Sequence, residues 1–84
     1  MIVPKKLYRS GEITQHTGIS RQTLHYYTQI GLVKEKERTK SGQRLFDETI
    51  FQIIAKIKEF QGQNMTLLQI REKLRNDPQL KFNF

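Results

Sequence analysis

The sequence predicts a small, mainly α fold of four helices with one short β-hairpin between the second and third. Three observations support this class. Apolar residues recur with the helical period of 3.6 residues, and Ser, Thr and Gly residues divide the chain into short helical segments. Residues 33–46 instead alternate polar and apolar side chains around a glycine-containing turn. With 84 residues, the chain has room for one domain and one small core.

The first two helices are predicted to pair closely. Ser10 is expected to cap helix one, and Gly18 to end it in the left-handed conformation. Ser20 is expected to cap helix two, which stops before Gly31. Two short helices joined by such a turn make a helix-turn-helix unit over residues 10–30. The same spacing also occurs in simple αα-corners, so it does not by itself establish DNA binding.

Residues 33–46 are predicted to form a hairpin whose turn lies at residues 39–42. The hairpin would direct basic side chains outward and pair with a strand near residues 6–8, because two strands alone are marginally stable. A solvated basic loop is the alternative. The position of the hairpin directly after helix two favours the hairpin.

Two further helices are predicted at residues 47–61 and 66–76, so that the domain covers residues 1–76 and residues 77–84 form a C-terminal tail. The third helix carries an apolar stripe at helical spacing: Ile50, Ile53, Ile54, Ile57 and Phe60. Thr66 and Gln69 have the spacing of a capping box at the start of the fourth.

The positive charge is concentrated in the first half of the chain. The net charge is +7; residues 1–46 carry nine Lys or Arg against three Glu, a net +6, whereas residues 47–84 carry six against five, a net +1. The first half is therefore expected to attract a polyanion. Charge alone leaves nucleic acid, a membrane surface and a ribosomal site open.

Several classes of protein are disfavoured by composition. The chain has no Cys and only two His, which excludes a disulfide framework and a thiolate metal site. It shows no nucleophile–base pair, carboxylate pair or phosphate loop, so we expect no enzyme, no catalytic residue, no metal and no cofactor. Its apolar runs are far shorter than the ~20 residues of a membrane span, and a cytoplasmic protein is expected.

Five motifs follow one another along the chain: Gly11-Glu12-Ile13, Thr17-Gly18-Ile19-Ser20, Thr23-Leu24-His25-Tyr26-Tyr27, Ile30-Gly31-Leu32-Val33 and Arg38-Thr39-Lys40-Ser41-Gly42-Gln43-Arg44-Leu45-Phe46. In this order they resemble the DNA-binding domain of the MerR family of bacterial transcription regulators. The resemblance runs from about residue 8 to residue 74. It implies a winged helix-turn-helix, with helix two in the major groove and the hairpin as a wing on the backbone and minor groove.

The resemblance also implies which residues contact DNA: Arg21, Gln22, Thr23, His25, Tyr27, Arg38, Lys40, Ser41, Gly42, Gln43 and Arg44. Arg21, Gln22 and His25 would read bases from helix two. Arg38 and Arg44 would clamp the backbone. For the aromatic pair, the Tyr27 hydroxyl would donate to a phosphate, while Tyr26 is expected to pack in the core.

The wing tip has its own expected roles. Lys40 would contact phosphate, Ser41 and Gly42 would shape the loop, and Gln43 replaces an aromatic residue common in relatives.

This sequence departs from the family pattern at several of these positions. His25 occupies a position where Arg is usual in the family. The permanent positive charge of Arg is thus replaced by a charge that depends on pH. Thr28 replaces an acidic residue, and Lys34 and Glu35 replace prolines. These departures affect the expected operator sequence and leave the expected fold unchanged.

The implied partner is double-stranded promoter or operator DNA in the nucleoid, with RNA polymerase affected indirectly. The resemblance implies that family regulators dimerise through a C-terminal helix, which we expect this chain to lack, so this chain alone is expected to be monomeric or weakly associating. An excised domain is favoured over a naturally short relative. Two alternatives stay open: a short excisionase-like or nucleoid-architectural protein, and a protein-binding antirepressor of the same fold.

Overall fold

The computed structural model describes residues 6–77, which form four helices and a three-stranded antiparallel sheet. The elements in chain order are β1 (Tyr8–Arg9), α1 (Ser10–Thr17), α2 (Arg21–Gln29), β2 (Glu37–Arg38), β3 (Arg44–Phe46), α3 (Thr49–Gly62) and α4 (Leu67–Arg75). The predicted mainly α class is confirmed. Within the described range no helix has the length and apolar character needed to cross a membrane. All of the predicted tail except Asp77 lies outside the described residues.

The start of α1 differs from the prediction. Ser10 is the first helical residue rather than the cap, and Arg9 precedes the helix in an extended conformation. The backbone N–H of Arg9 donates to Oε1 of Glu12 at 3.0 Å. Since β1 runs directly into α1, the last strand residue takes the capping position, and the Glu12 carboxylate accepts from its amide.

The turn between α1 and α2 has the predicted chemistry. Gly18 ends α1 with φ 79°, in the left-handed region that glycine adopts without strain. Oγ of Ser20 accepts from the backbone N–H of Thr23 at 3.0 Å and caps α2. The two helices therefore form a compact helix-turn-helix unit.

The sheet has the order β1-β3-β2, so β3 lies in the centre. Tyr8 pairs with Phe46 across β1 and β3, and Arg38 pairs with Arg44 across β2 and β3. The expected third strand beside the hairpin is confirmed, and it ties the hairpin to the start of α1.

Helices α3 and α4 close the domain. Asp47, the predicted start of α3, lies two residues before it, and its Oδ1 accepts from the backbone N–H of Thr49 at 3.0 Å. The capping box of α4 is confirmed: Gln69 N–H donates to Thr66 Oγ1 at 3.2 Å, and Thr66 N–H donates to Gln69 Oε1 at 2.9 Å.

One core holds the helix-turn-helix, the sheet and the two C-terminal helices together. Its buried residues are Ile13, Leu24, Tyr27, Leu32, Val33, Phe46, Ile50, Ile53, Ile54, Ile57, Ile70 and Leu74. Full burial of an aliphatic side chain contributes roughly 1.5–3 kcal/mol. The α3 stripe packs against α1 and α4, and α1 in turn contacts α2 and the sheet, so this core holds α2 and the hairpin in place.

Candidate nucleic-acid interface

One face of α2 is directed to solvent. Leu24 and Tyr27 face the core, whereas Arg21, Gln22 and His25 are exposed. The three predicted base-reading residues thus lie on the accessible side of the helix, within its first five positions. Such a face is free to enter a groove of DNA while the opposite face holds the helix to the domain.

Thr23 lies at the edge of this face. It is half-buried, and its Oγ1 lies 2.8 Å from Oγ of Ser20. Its hydroxyl therefore already takes part in the capping of α2.

The two tyrosines of α2 have the opposite environments from those predicted. Tyr27 is 5% exposed and belongs to the core, while Tyr26 is 49% exposed. Burial raises the pKa of the Tyr27 hydroxyl, and a hydrogen bond with the side chain of Gln61 opposes that shift. The expectation that Tyr26 packs in the core is wrong. Tyr27 follows Leu24 by three residues, so Tyr27 shares the inward face of the helix with Leu24 and Tyr26 is turned towards solvent.

The wing is organised around a carboxylate that the sequence did not indicate. Oε1 of Glu35 accepts a hydrogen bond from Nε of Arg38 at 3.0 Å, and its Oε2 forms an ion pair with Arg44, 2.8 Å from Nε. Arg38 and Arg44 are direct cross-strand partners. Like charges in that relation repel each other, and Glu35 offsets the repulsion.

Arg44 also joins the wing to α2. Its Nη1 lies 3.1 Å from Nδ1 of His25. Because a guanidinium can only donate, Nδ1 of His25 accepts and the neutral ring carries its proton on Nε2. The structure thus brings together two residues that are 19 positions apart and that were assigned to different parts of the interface.

The wing tip is a tight turn that exposes its side chains. The backbone N–H of Gly42 donates to the carbonyl of Thr39 at 2.9 Å, and Gly42 has φ 90°. Ser41 Oγ lies 3.0 Å from Thr39 Oγ1. Lys40, Ser41 and Gln43 are exposed, so the tip presents one amine and two neutral polar groups.

A groove between the start of α1, the start of α2 and the wing tip extends this surface. Arg9, Arg21 and Arg44 are among its lining residues. The guanidinium of Arg21 lies over Gly11, where an added Cβ would be 3.0 Å from its Nη2. Arg9 was not among the predicted site residues; its exposure and its place at the end of β1 add it to the basic surface.

The fold has counterparts among known proteins. The family model described as "MerR HTH family regulatory protein" matches residues 8–77. The chain belongs to the MerR family. The described α1–α2 unit, wing and α3–α4 pair all lie within the matched range.

Several relatives illustrate this membership. The mercuric resistance operon regulatory protein of Bacillus cereus is 33% identical over 67 residues, which cover 80% of this chain and 51% of that protein. The nodulation protein NolA of Bradyrhizobium diazoefficiens is 31% identical over 70 residues, which cover 83% of this chain and 30% of that protein. The crystal structure of the N-terminus of MtaN, the Bacillus subtilis multidrug transporter activator, superimposes on this chain with a TM-score of 0.78 at 27% sequence identity. The superposition covers 84% of this chain and 67% of that one.

This MerR-family chain spans about half or less of the length of those two curated relatives. The similarity therefore concerns the helix-turn-helix region and not the remainder of either protein.

Proposed function

We propose that this MerR-family domain binds double-stranded DNA sequence-specifically, with α2 in the major groove and the wing on the backbone. The observation that carries the proposal is the contact between Arg44 and His25, which sets the wing arginines beside the exposed face of α2. A single surface then carries both charged groups for phosphate and polar groups for base edges. Most affinity would come from the former and most discrimination from the latter.

Base reading is assigned to the N-terminal half of α2. Arg21 can donate two hydrogen bonds to guanine, and Gln22 can pair with the donor and acceptor of adenine. His25 lies one turn further on, with Nδ1 engaged by Arg44 and Nε2–H available to an acceptor. Thr23 would contact DNA at the edge of this surface.

Phosphate contacts are assigned to the wing and its surroundings. Arg38, Lys40 and Arg44 would supply charge, and Arg9 would extend the same surface from β1. The backbone and side chains of Ser41, Gly42 and Gln43 would follow the sugar-phosphate chain at the tip. We assign Tyr27 mainly to holding α2 in place, because its ring is buried.

We further propose that regulation of a promoter requires two such domains. One α2 can occupy one half-site, whereas two half-sites need a dimer held by a segment outside the described residues. Distortion of the promoter between half-sites would then affect RNA polymerase indirectly. The domain alone would act as a monomer or weakly associating species with modest affinity.

The test is a salt titration of DNA binding. A duplex would be selected from a random library with this chain, labelled, and titrated by fluorescence anisotropy between low and moderate salt. With about 4–6 phosphates contacted, log K should fall against log salt with a slope of about −4 to −5. Affinity that is independent of salt, or no binding to any duplex at low salt, would contradict the proposal.

A further inference from the structure

An acidic side chain lies in the middle of the basic wing. Glu35 precedes β2, and its side chain is 27% exposed between the guanidinium groups of Arg38 and Arg44. On charge alone, a carboxylate at this place weakens attraction for a polyanion. Its contacts with the two arginines offer a physical reason for its presence.

The carboxylate engages the same edge of both arginines. Oε1 accepts a hydrogen bond from Nε of Arg38 at 3.0 Å, and Oε2 forms an ion pair with Arg44, 2.8 Å from Nε. A guanidinium has five N–H donors, so contact through Nε leaves both Nη groups of Arg38, and Nη2 of Arg44, available to phosphate oxygens. Glu35 can therefore hold both side chains without occupying their phosphate-binding ends.

The contact extends beyond the wing. Arg44, held by Glu35 through Nε, reaches His25 on α2 through Nη1. A continuous chain of polar contacts thus runs from Arg38 through Glu35 and Arg44 to His25. It sets the wing arginines relative to the base-reading face of the helix.

We propose that Glu35 is a positioning residue of the DNA-binding surface, and this inference rests on the proposed function. Glu35 fixes Arg38 and Arg44 in the arrangement that phosphates meet, so that less side-chain freedom is lost on binding. Its negative charge opposes binding, but the order that it imposes on two long side chains outweighs that effect.

The two effects predict opposite results for the isosteric variant Glu35→Gln. If charge alone mattered, loss of a negative charge would strengthen DNA binding. If positioning dominates, binding weakens, because an amide has one oxygen to accept with and its NH2 group faces the second arginine.

Glu37 provides a matched control. It lies two residues away on β2 and is exposed, and its backbone pairs with Leu45. Glu37→Gln removes the same charge from the same wing without touching the contacts of Glu35. We expect it to bind DNA about twofold more tightly, as the loss of one screened surface charge requires.

The experiment compares the full chain with both variants on the same library-selected duplex. Glu35→Gln should bind the duplex about 5- to 10-fold more weakly than the unchanged chain, whereas Glu37→Gln should bind it more tightly. In ¹H–¹⁵N spectra without DNA, the Nε–H signal of Arg38 should be protected from exchange in the unchanged chain and in Glu37→Gln. It should lose this protection in Glu35→Gln.

Two results would overturn the inference while leaving the proposed function intact. One is a Glu35→Gln variant that binds DNA as tightly as Glu37→Gln. The other is a lack of exchange protection at Nε–H of Arg38 in the unchanged chain, a measurement that needs no variant to fold. Failure of the unchanged chain to bind any duplex would instead overturn the proposed function, and this inference with it.

Discussion

Nη1 of Arg44, on the central strand of the sheet, donates to Nδ1 of His25, on the exposed face of α2, at 3.1 Å. The wing and the helix are therefore in direct polar contact within the domain before any DNA is bound. Arg44 is half-buried, and its guanidinium also contacts Glu35. We infer that the two parts of the interface approach DNA as one preformed surface.

The roles of the wing and of α2 can be separated by two substitutions. Arg44→Ala should weaken binding to selected and scrambled duplexes alike, because it removes a phosphate contact. Gln22→Ala should weaken binding mainly to the selected duplex, by roughly 1–3 kcal/mol, because it removes a base contact. Anisotropy titrations on both duplexes measure the ratio of the affinity for the selected duplex to that for the scrambled duplex. If Gln22→Ala left this ratio unchanged, the base-reading assignment would be wrong.

The tyrosines of α2 should differ sharply in their effect on stability. Tyr27→Ala removes a core ring and should lower the free energy of unfolding by about 3–5 kcal/mol. Tyr26→Ala changes a side chain that is 49% exposed and should cost less than about 1 kcal/mol. Urea unfolding followed by circular dichroism measures both, and equal losses would contradict the assigned environments.

Glu12 should make the stability of the folded domain depend on pH in the acid range. Its hydrogen bond from the Arg9 amide holds the pKa of the carboxyl below its ordinary value, with Lys6 and Arg9 acting in the same direction against desolvation. A lowered pKa in the folded state means that the ionised group stabilises the fold at neutral pH. That contribution is lost as the pH falls below about 4.

The check for Glu12 is a series of thermal melts with Glu12→Gln. The unchanged chain should melt higher than the variant at pH 7, and the difference should narrow as the pH is lowered through about 4. If the difference in melting temperature between the two proteins stayed constant across this pH range, the charge of the Glu12 carboxylate would not be the cause of the stabilisation.

A side chain at Gly31, which follows α2, should destabilise the domain. It has φ 80°, and an added Cβ would lie 3.2 Å from Nε of Arg71 on α4. Among residues 6–77, that Nε is buried and finds no hydrogen-bond partner. Gly31→Ala should therefore cost about 1–3 kcal/mol through backbone strain and displacement of the guanidinium.

Gly62 is the control for Gly31. It ends α3, and an added Cβ would meet no atom of the described part of the chain within 4 Å. Gly62→Ala should leave stability unchanged or raise it by up to about 1 kcal/mol, because alanine favours the helical conformation. Equal effects of the two substitutions in urea unfolding would contradict the environment assigned to Gly31.

The elements that the sequence predicted correctly depend on local chemistry. Ser20, Thr66 and the positive-φ glycines act within a few residues of themselves, so their spacing alone indicates where helices start and stop. The apolar stripe of α3 is likewise a property of one helix. Each of these signals can be seen without knowing which elements pack together.

The features that the sequence did not reveal depend on contacts between elements. Glu35 acquires its role only when the register of β2 and β3 sets Arg38 opposite Arg44. Arg71 reaches Gly31 only because α4 packs near the end of α2. The two tyrosines are a different case, because the prediction that Tyr26 packs was wrong although the three-residue interval from Leu24 to Tyr27 is a local signal for the buried ring.

The most direct test of the DNA-binding account is to map the bound surface by NMR. The ¹H–¹⁵N signals of the full chain would be followed while the library-selected duplex is added. We expect the largest shifts at residues 21–25 and 38–44, with smaller shifts beside Phe60 and Leu68 in the groove between α3 and α4. Shifts concentrated in that groove, with residues 21–25 unchanged, would contradict the account.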